Sequence, residues 1–302
     1  MIGRRSLLKW LFGAFAGGFG LASYGFAIEP AHRLAVARYR IRPDGWPQGM
    51  RLTIAALSDI HASEPQMGLA RIREVVRQTN ALGADIILML GDYGMGQTLY
   101  ARPVPLPLLA EALEPLSAPL GVYGILGNHD YWGTSLTNWP YTPEKIDETA
   151  EHYRVMLREA GVTLLENDVR RIDKGGQPFW LIGTGSLIAL PIAAGRFRSY
   201  ARLDEQVARI TDDAPAILMA HEPDLFPSVP RRIGLTLSGH THGGQVRLFG
   251  YSPVTPSKYR NRYAYGHVVE DGRNLIVSGG LGTSVMPVRF GVPPEIVLIE
   301  IG

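Results

Sequence analysis

Leu52-Thr53-Ile54-Ala55-Ala56-Leu57-Ser58-Asp59-Ile60-His61 is an apolar run that breaks, at its C-terminal end, into residue types that bind metals. The same pattern recurs four times further along. Ile86–Leu90 runs into Gly91-Asp92, and Val122–Leu126 into Gly127-Asn128-His129-Asp130. Ala216–Ala220 leads to His221-Glu222, and Leu235–Ser238 to Gly239-His240-Thr241-His242. Short apolar runs bounded by Gly and polar residues read as buried strands. In layered α/β folds ligands bind outside the carboxyl ends of such strands. Strand ends carrying Asp, His and Asn therefore predict one rim on which a metal site is assembled from the whole domain.

The residue types fit that chemistry. Asp, Asn and His form a mixed oxygen and nitrogen donor set suited to Mn, Fe, Zn or a similar divalent ion. The chain has no cysteine, so no thiolate competes. Asp59, His61, Asp92, Asn128, His221, His240 and His242 are the candidate ligands. A single tetrahedral zinc takes only three or four. The larger set suits two metals sharing a bridging carboxylate, of the kind held about 3.5–4 Å apart in phosphatases and nucleases. Such a pair ionises a water near neutral pH and clamps the attacking and leaving oxygens of an in-line displacement. Gly91, Gly127 and Gly239 let the backbone bend sharply just before each ligand.

In order, Asp59-Ile60-His61, Gly91-Asp92, Gly127-Asn128-His129-Asp130, His221 and Gly239-His240-Thr241-His242 resemble the motifs of the calcineurin-like metallophosphoesterases. The resemblance runs from about Arg51 to the C-terminus. Gly127–Trp132, Ser238–Gln245 and the tail Gly280-Leu281-Gly282-Thr283-Ser284 with Pro294-Glu295-Ile296 are similar to the membrane-associated bacterial subgroup. That subgroup includes exported or anchored phosphodiesterases and hydrolases of UDP-2,3-diacylglucosamine, the lipid A precursor. The resemblance implies a four-layer αββα sandwich of two mixed sheets flanked by helices. It also implies one metal on Asp59, His61 and His242, another on Asn128, His221 and His240, and Asp92 between them. His129 would then be no ligand but would face the scissile phosphate and protonate the leaving oxygen, oriented by Asp130. Relatives often place an aspartate after the strand Phe179–Ile182, where this chain has Gly183-Thr184-Gly185-Ser186, and that departure bears on the substrate rather than the metals.

Any one of these matches has an ordinary structural explanation. A lone Asp or His at a strand end is usually a turn or cap residue. His129-Asp130 alone reads equally as a hydrogen-bonded pair fixing a loop. An ordered set of five is not produced that way. His32, His152 and His267 fall outside the motifs and read as surface or core histidines.

Around this body the composition is ordinary. The chain has 302 residues, 46 % of them hydrophobic, which suits a globular body with a sizeable core. No repeat or low-complexity linker divides residues 51–302, so they read as one catalytic domain. The N-terminus differs. Arg4-Arg5-Ser6-Leu7-Leu8-Lys9 leads into an uncharged, Gly- and Ala-rich apolar run over 10–27. Paired arginines before such a run resemble a twin-arginine export signal. Gly25-Phe26-Ala27 resembles a cleavage site, and the run is also near the length of a membrane span. Residues 1–27 are thus expected to be a signal or anchor helix, and 28–50 a connector with an edge strand at Ala35–Ile41. The expected location is the extracytoplasmic face of the membrane, with the cytoplasmic face as the alternative. Arg33, Arg38, Arg40 and Arg42 nearly balance the charge asymmetry that would orient the run. Removing residues 1–27 takes away Arg4, Arg5 and Lys9 and no acid, so the formal +2 becomes about −1. The basic balance of the whole chain therefore gives no support for a nucleic-acid partner, and none is expected.

The expected reaction is hydrolysis of a phosphodiester or pyrophosphate, with a phosphorylated, lipid-linked small molecule as substrate. The alternatives are a general phosphodiesterase or phosphomonoesterase, and a non-catalytic metal-binding scaffold. Two segments bear on the choice. Leu187–Ala194 is apolar for a connector and is followed by Arg196, Arg198, Tyr200 and Arg202, which suits an acyl chain beside a phosphate or ordinary core packing. Lys258–Tyr263 alternates bases with aromatics and reads as a solvated strand face. Helices are expected over Leu69–Leu82, Pro105–Leu116 and Leu203–Ile210. Another should start at Thr142-Pro143-Glu144 and stop at Gly161.

Overall fold

Among the described residues, sixteen strands and seven α-helices follow one another, the longer strands where the apolar runs predict them. The computed structural model describes residues 4–94, 96, 100–133 and 141–302, with the backbone alone for 4–8, 11 and 14. In chain order these are α1 (Arg4–Ser23), α2 (Glu29–His32), β1 (Ala35–Ile41), β2 (Leu52–Leu57), β3 (Ser63–Glu64), α3 (Leu69–Ala81) and β4 (Ile86–Met89). Next come β5 (Arg102–Pro103), α4 (Leu106–Leu113), β6 (Val122–Gly124), α5 (Asn128–Trp132), α6 (Pro143–Glu159), β7 (Thr163–Leu164), β8 (Asp168–Lys174) and β9 (Gln177–Gly183). The rest are β10 (Leu190–Ala193), β11 (Arg196–Arg198), α7 (Leu203–Ala208), β12 (Ala216–Met219), β13 (Ile233–Ser238), β14 (Gly266–Glu270), β15 (Arg273–Val277) and β16 (Glu295–Ile301).

Two mixed sheets of six strands carry the fold, in the orders β1-β16-β2-β4-β6-β7 and β14-β15-β13-β12-β9-β8. In the first, β2, β4, β6 and β7 run parallel, and β16 is antiparallel to β2. In the second, β9, β12, β13 and β15 are parallel, closed by antiparallel β14 and β8. The strands are apolar on both faces, as buried parallel strands must be. Leu52, Ile54 and Ala56 of β2 meet Leu181, Ile217 and Leu235 in a cluster between the sheets. Ala55 and Leu57, pointing the other way, pack under Ile72, Val75, Leu109, Met156 and Leu157 of the helices. Ile182, Leu218 and Val277 form the outer face of the second sheet with Leu203 and Phe226. The period of two in the sequence has thus been divided between two cores. Truncating such a fully buried Leu to Ala would cost about 2–5 kcal/mol.

The helix signals behave as expected. Thr142 caps α6, its hydroxyl accepting from the Lys145 amide at 3.4 Å, and Pro143 takes the first position. Ile146, Ala150, Tyr153, Met156 and Leu157 turn one buried face inward, and Gly161, at φ +73°, ends the run. The alternating segment Ala35–Ile41 pairs in parallel with β16 at the edge of the first sheet, so the region between the leader and Arg51 contributes a strand.

Lys258–Tyr263 does not form the expected strand. Arg260–Tyr263 is a single 3₁₀ turn, and Tyr263 is buried against Phe226. The bases there alternate with aromatics because Lys258 and Arg262 lie over the rings of Tyr259 and Tyr263. The apolar leader is a helix, Arg4–Ser23, whose Trp10, Phe12, Phe15 and Phe19 are exposed. Among the described residues, no helix is long and apolar enough to cross a membrane. Lys9 and the four glycines at 13, 17, 18 and 20 dilute its hydropathy.

Candidate metal centre

Every strand that the sequence singled out ends at the same place. β2 delivers Asp59 and His61, β4 delivers Asp92, and the turn after β6 begins α5 with Asn128, His129 and Asp130. From the facing sheet β12 delivers His221, and β13 delivers His240 and His242. The loops are stitched together by backbone bonds: Asp59 N donates to Gly91 O at 3.0 Å and His61 N to Asp92 O at 3.1 Å. Gly91 sits at φ +95°, and a side chain on it would strike the backbone of Gly127. A side chain on Gly127 would meet the Asp92 carboxylate at 2.2 Å. Those two glycines let the first-sheet loops close against each other.

The strain is not confined to glycine. Asp59, His61, Asp92, His240 and His242 all have positive φ, between 44° and 68°. Non-glycine residues rarely adopt that conformation, and it persists only where the surroundings enforce it. The result is that short loops aim several side chains inward at one point.

Three groups of donors lie within 4.8 Å of one another: Asp59, His61 and His242; His61, Asp92 and His129; and Asp92, His221 and His240. Asp92 joins them. Its Oδ2 lies 3.5 Å from His61 Nε2 and 3.2 Å from His221 Nε2, and its Oδ1 accepts from the His129 amide at 2.9 Å. His61 Nε2 and His242 Nε2 are 3.1 Å apart, and His242 Nε2 is 3.3 Å from Asp59 Oδ1. Asn128 Oδ1 sits 2.9 Å from His240 Nδ1.

The other edge of each ring fixes which nitrogen faces inward. His61 Nδ1 faces Gly94 O at 3.0 Å, and His221 Nδ1 faces Leu90 O at 2.7 Å. Each therefore donates from Nδ1 and turns Nε2 toward the centre. His240 is reversed, with Nε2 2.9 Å from Pro256 O and Nδ1 inward. His221 Nε2 is buried with no hydrogen-bond partner among the described residues. A buried imidazole nitrogen left without a hydrogen-bond partner beside a carboxylate is what a cation, displacing its proton, would satisfy, so the residues present fit divalent metal ions.

Electrostatics agree. Burial pushes His61, His240 and His242 below the ordinary histidine value, leaving neutral rings ready to ligate. Burial also opposes charge on His221, but the Asp92 carboxylate overrides it and raises this ring well above its usual range. Burial would raise Asp92 too, yet His221 and His129 hold it well below the carboxylate range. Asp59 goes the other way, raised by burial against the pull of His221. A cluster of carboxylates and imidazoles trading one proton is a site arranged for positive charge.

His129 lies beside the ligands, its ring edge-on to His61 with centroids 5.0 Å apart, and its Nε2 is 3.5 Å from Ser284 Oγ. Burial lowers its pKa to about 4. Asp130 does not orient that imidazole. Both its oxygens are taken by backbone amides, of Asp92 and Gly127 at 2.8 Å and of Tyr93 at 2.9 Å. A carboxylate two residues from a ligand loop finds the nearest unpaired N–H groups, and these belong to the turns carrying Asp92 and Asn128. Burial and the charge on Asp92 push Asp130 up to about 7, against those three amides.

Two residues at the centre were not read from the sequence. Arg289 is fully buried, donates to the carbonyls of Gly279, Gly282 and Val292, and lies 3.3 Å from His242 Nδ1. Its one signal was a lone cation within the apolar tail Pro287-Val288-Arg289-Phe290. Trp132, 5.3 Å from His129 between centroids, looked like part of a motif rather than a wall. His152 and His267 lie elsewhere, on α6 and β14.

Comparison with known proteins gives the family. Residues 52–244 match the family described as calcineurin-like phosphoesterases. The chain is similar to the metallophosphoesterase YkuE of Bacillus subtilis (strain 168), at 28 % identity over 99 % of this chain and 97 % of that protein. It is also similar to the phosphodiesterase YaeI of Escherichia coli (strain K12), at 28 % identity over the whole of both chains. Among solved structures, the NAD nucleotidase of Haemophilus influenzae superposes with a TM-score of 0.47 at 14 % identity, over 77 % of this chain and 46 % of that one.

Proposed function

The chain belongs to the calcineurin-like phosphoesterase family and is a metal-dependent hydrolase of phosphoric esters; from that premise we propose that it cleaves phosphodiesters at a two-metal centre. Asp59, His61 and His242 would hold one cation, Asn128, His221 and His240 the other, and Asp92 both. The observation that carries this reading is the position of Asp92 Oδ2, within 3.5 Å of an imidazole from each half of the site. Bound there, divalent cations would lower the pKa of a coordinated water and offset charge on the phosphoryl oxygens.

The remaining steps belong to the chain. His129 is held by its amide bond to Asp92 and is neutral near pH 7, so it meets the phosphate as an N–H donor. An arriving phosphate anion favours the protonated ring. His129 then gives its proton to the leaving oxygen as the phosphorus–oxygen bond breaks and is reprotonated from solvent, to which the attacking water's proton is lost. Asp130 acts at a distance, keeping the Asp92 and Asn128 turns in register through three amides. Ser284 supplies the hydroxyl nearest His129 Nε2.

Diesters as a general class are favoured by the similarity to the phosphodiesterase YaeI. A lipid-linked diester or pyrophosphate is the narrower reading, favoured by the apolar hairpin β10–β11 beside His129. We also propose that the paired arginines and apolar helix at the N-terminus carry the protein to the membrane with its catalytic body on the extracytoplasmic face. A topology reporter fused after Gly302 distinguishes this from the cytoplasmic face.

The test of the reaction is a screen of chromogenic phosphate mono- and diesters with purified protein, chelated and then reloaded with Mn²⁺, alongside metal analysis. Diester turnover restored by Mn²⁺ at close to two ions per chain is expected. Monoester turnover alone, or stoichiometric metal without turnover of any ester, would overturn the proposal.

A further inference from the structure

The wall next to His129 is aromatic and continues outward. From His129 the Trp132 ring is 5.3 Å away between centroids, and Phe197 stacks on Trp132 at 5.9 Å and 18°. Phe197 lies on β11 opposite Pro191 of β10, and the register shifts at Ile192, which bulges out. Ile192 is 50 % exposed and Phe197 38 %. Arg196 and Arg198, on either side of Phe197 along the strand, project to the opposite face from it. The hairpin therefore offers solvent an apolar shelf, starting one ring from the candidate acid.

The hairpin is also fastened to the site at both ends. Trp132 Nε1 donates to the carbonyls of Ala189 and Ile188 at 3.0 and 3.1 Å, tying the hairpin's entry to α5. Leu187 N donates to Glu222 Oε2 at 2.9 Å, and Ser186 Oγ donates to Oε1 of the same carboxylate, next to His221. At the exit, Tyr200 N returns to Ser186 O at 2.9 Å. The shelf cannot move independently of His129 and His221. Two exposed aliphatic and aromatic side chains held in fixed register to a reaction centre are a recognition surface rather than stray apolar exposure.

We infer that the β10–β11 hairpin is the substrate-recognition element, with Trp132, Ile192 and Phe197 binding a hydrocarbon chain carried by the phosphodiester. Trp132 and Phe197 already stack on each other, so no slot between rings is open to a nucleobase; the exposed edge and Ile192 suit a chain. This rests on the phosphodiester reading above and narrows its substrate.

Three phosphodiesters sharing ethanolamine on one side, and bearing glycerol, monoacylglycerol or thymidine on the other, separate the possibilities. The acyl compound is kept below its critical micelle concentration, and products are measured by chromatography on Mn²⁺-loaded full-length protein. A kcat/KM about tenfold higher for the acyl diester than for the glycerol one is expected, as a buried apolar increment supplies. The advantage should lie in KM, vanish in Phe197→Ala, and return in Phe197→Leu, with metal content constant throughout. An equal preference among the three, or a preference for thymidine, overturns the assignment. So does an acyl advantage that survives Phe197→Ala. Should none of the three be hydrolysed, the diester reading itself fails. Calorimetric binding of the acyl compound to wild type and Phe197→Ala then decides the shelf separately, since an unchanged affinity overturns it and a weakened one supports it.

Discussion

The same two sheets end very differently at their two ends. At the carboxyl ends Asp59, Asp92, Asp130, His61 and His221 are all but sealed from water, five candidate ligands sit at positive φ, and one buried imidazole nitrogen has no hydrogen-bond partner among the described residues. At the amino ends the charges are half exposed and matched. Asp85, at the start of β4, accepts from Thr53 N at 2.7 Å and pairs with Lys174. Asp212, before β12, accepts from Trp180 Nε1 at 2.7 Å and from Arg171 at 2.8 Å. Buried like charges and strained loops cost stability, whereas satisfied pairs near water cost little. One end of the fold is therefore arranged for a bound cation and the other for holding strands together.

Substitutions at the two ends should separate activity from stability. The largest effect is expected for Asp92→Asn, which removes the carboxylate proposed to be shared by the two cations: turnover and bound metal should be lost together. Metal-free Asp92→Asn protein should melt below metal-free wild type near neutral pH, because a carboxylate held well below its ordinary range stabilises the fold while ionised; an unchanged melting temperature would mean that its pairing with His221 lends no stability. Next is His129→Ala, where kcat should fall by about 10²–10⁴, the range for a general acid. Metal content, measured by emission spectrometry, should stay at the wild-type value. Unchanged kcat would remove His129 from the reaction.

The pH dependence follows from His221. Its pKa in the metal-free fold is raised above the unfolded value by Asp92. The stability it lends is therefore present below the unfolded pKa of 6.5 and is lost as pH rises through the folded one. Metal binding must expel that proton, so affinity for Mn²⁺ should rise with pH by up to about tenfold per unit in that window. Titration calorimetry in two buffers of different ionisation enthalpy would detect the released proton, and no buffer dependence would contradict it. The smallest effect is expected at the opposite end. Asp85→Ala should lower stability by about 1 kcal/mol through its lost amide bond, with kcat unaltered. A fall in kcat there would show that the two ends are coupled.

How much of this was legible in the chain depended on where the information was stored. Parallel strands buried on both faces announce themselves as apolar runs, so β2, β4, β12 and β13 could be placed within one or two residues. α6 could be bounded because Thr142, Pro143 and Gly161 act locally. The 3₁₀ turn at Arg260–Tyr263 was missed for the opposite reason, since alternating bases and aromatics describe cation–ring stacking as well as a strand. Asp130 was given the wrong neighbour because sequence adjacency to His129 says nothing about which amides lack acceptors. Arg289 gave almost no signal, because its partners are carbonyls ten residues or fewer away whose direction only the folded loop fixes.

The order of the motifs determined the family, the mixed-sheet class and the donor types at the centre, because side-chain chemistry and hydrophobic period survive without coordinates. Which nitrogen of each histidine faces inward, that Asp130 serves Asp92, and that the hairpin stands against His129 were decided only on folding. Those are contacts between residues up to 181 positions apart, as for His61 and His242, and no local preference encodes the direction in which such partners meet.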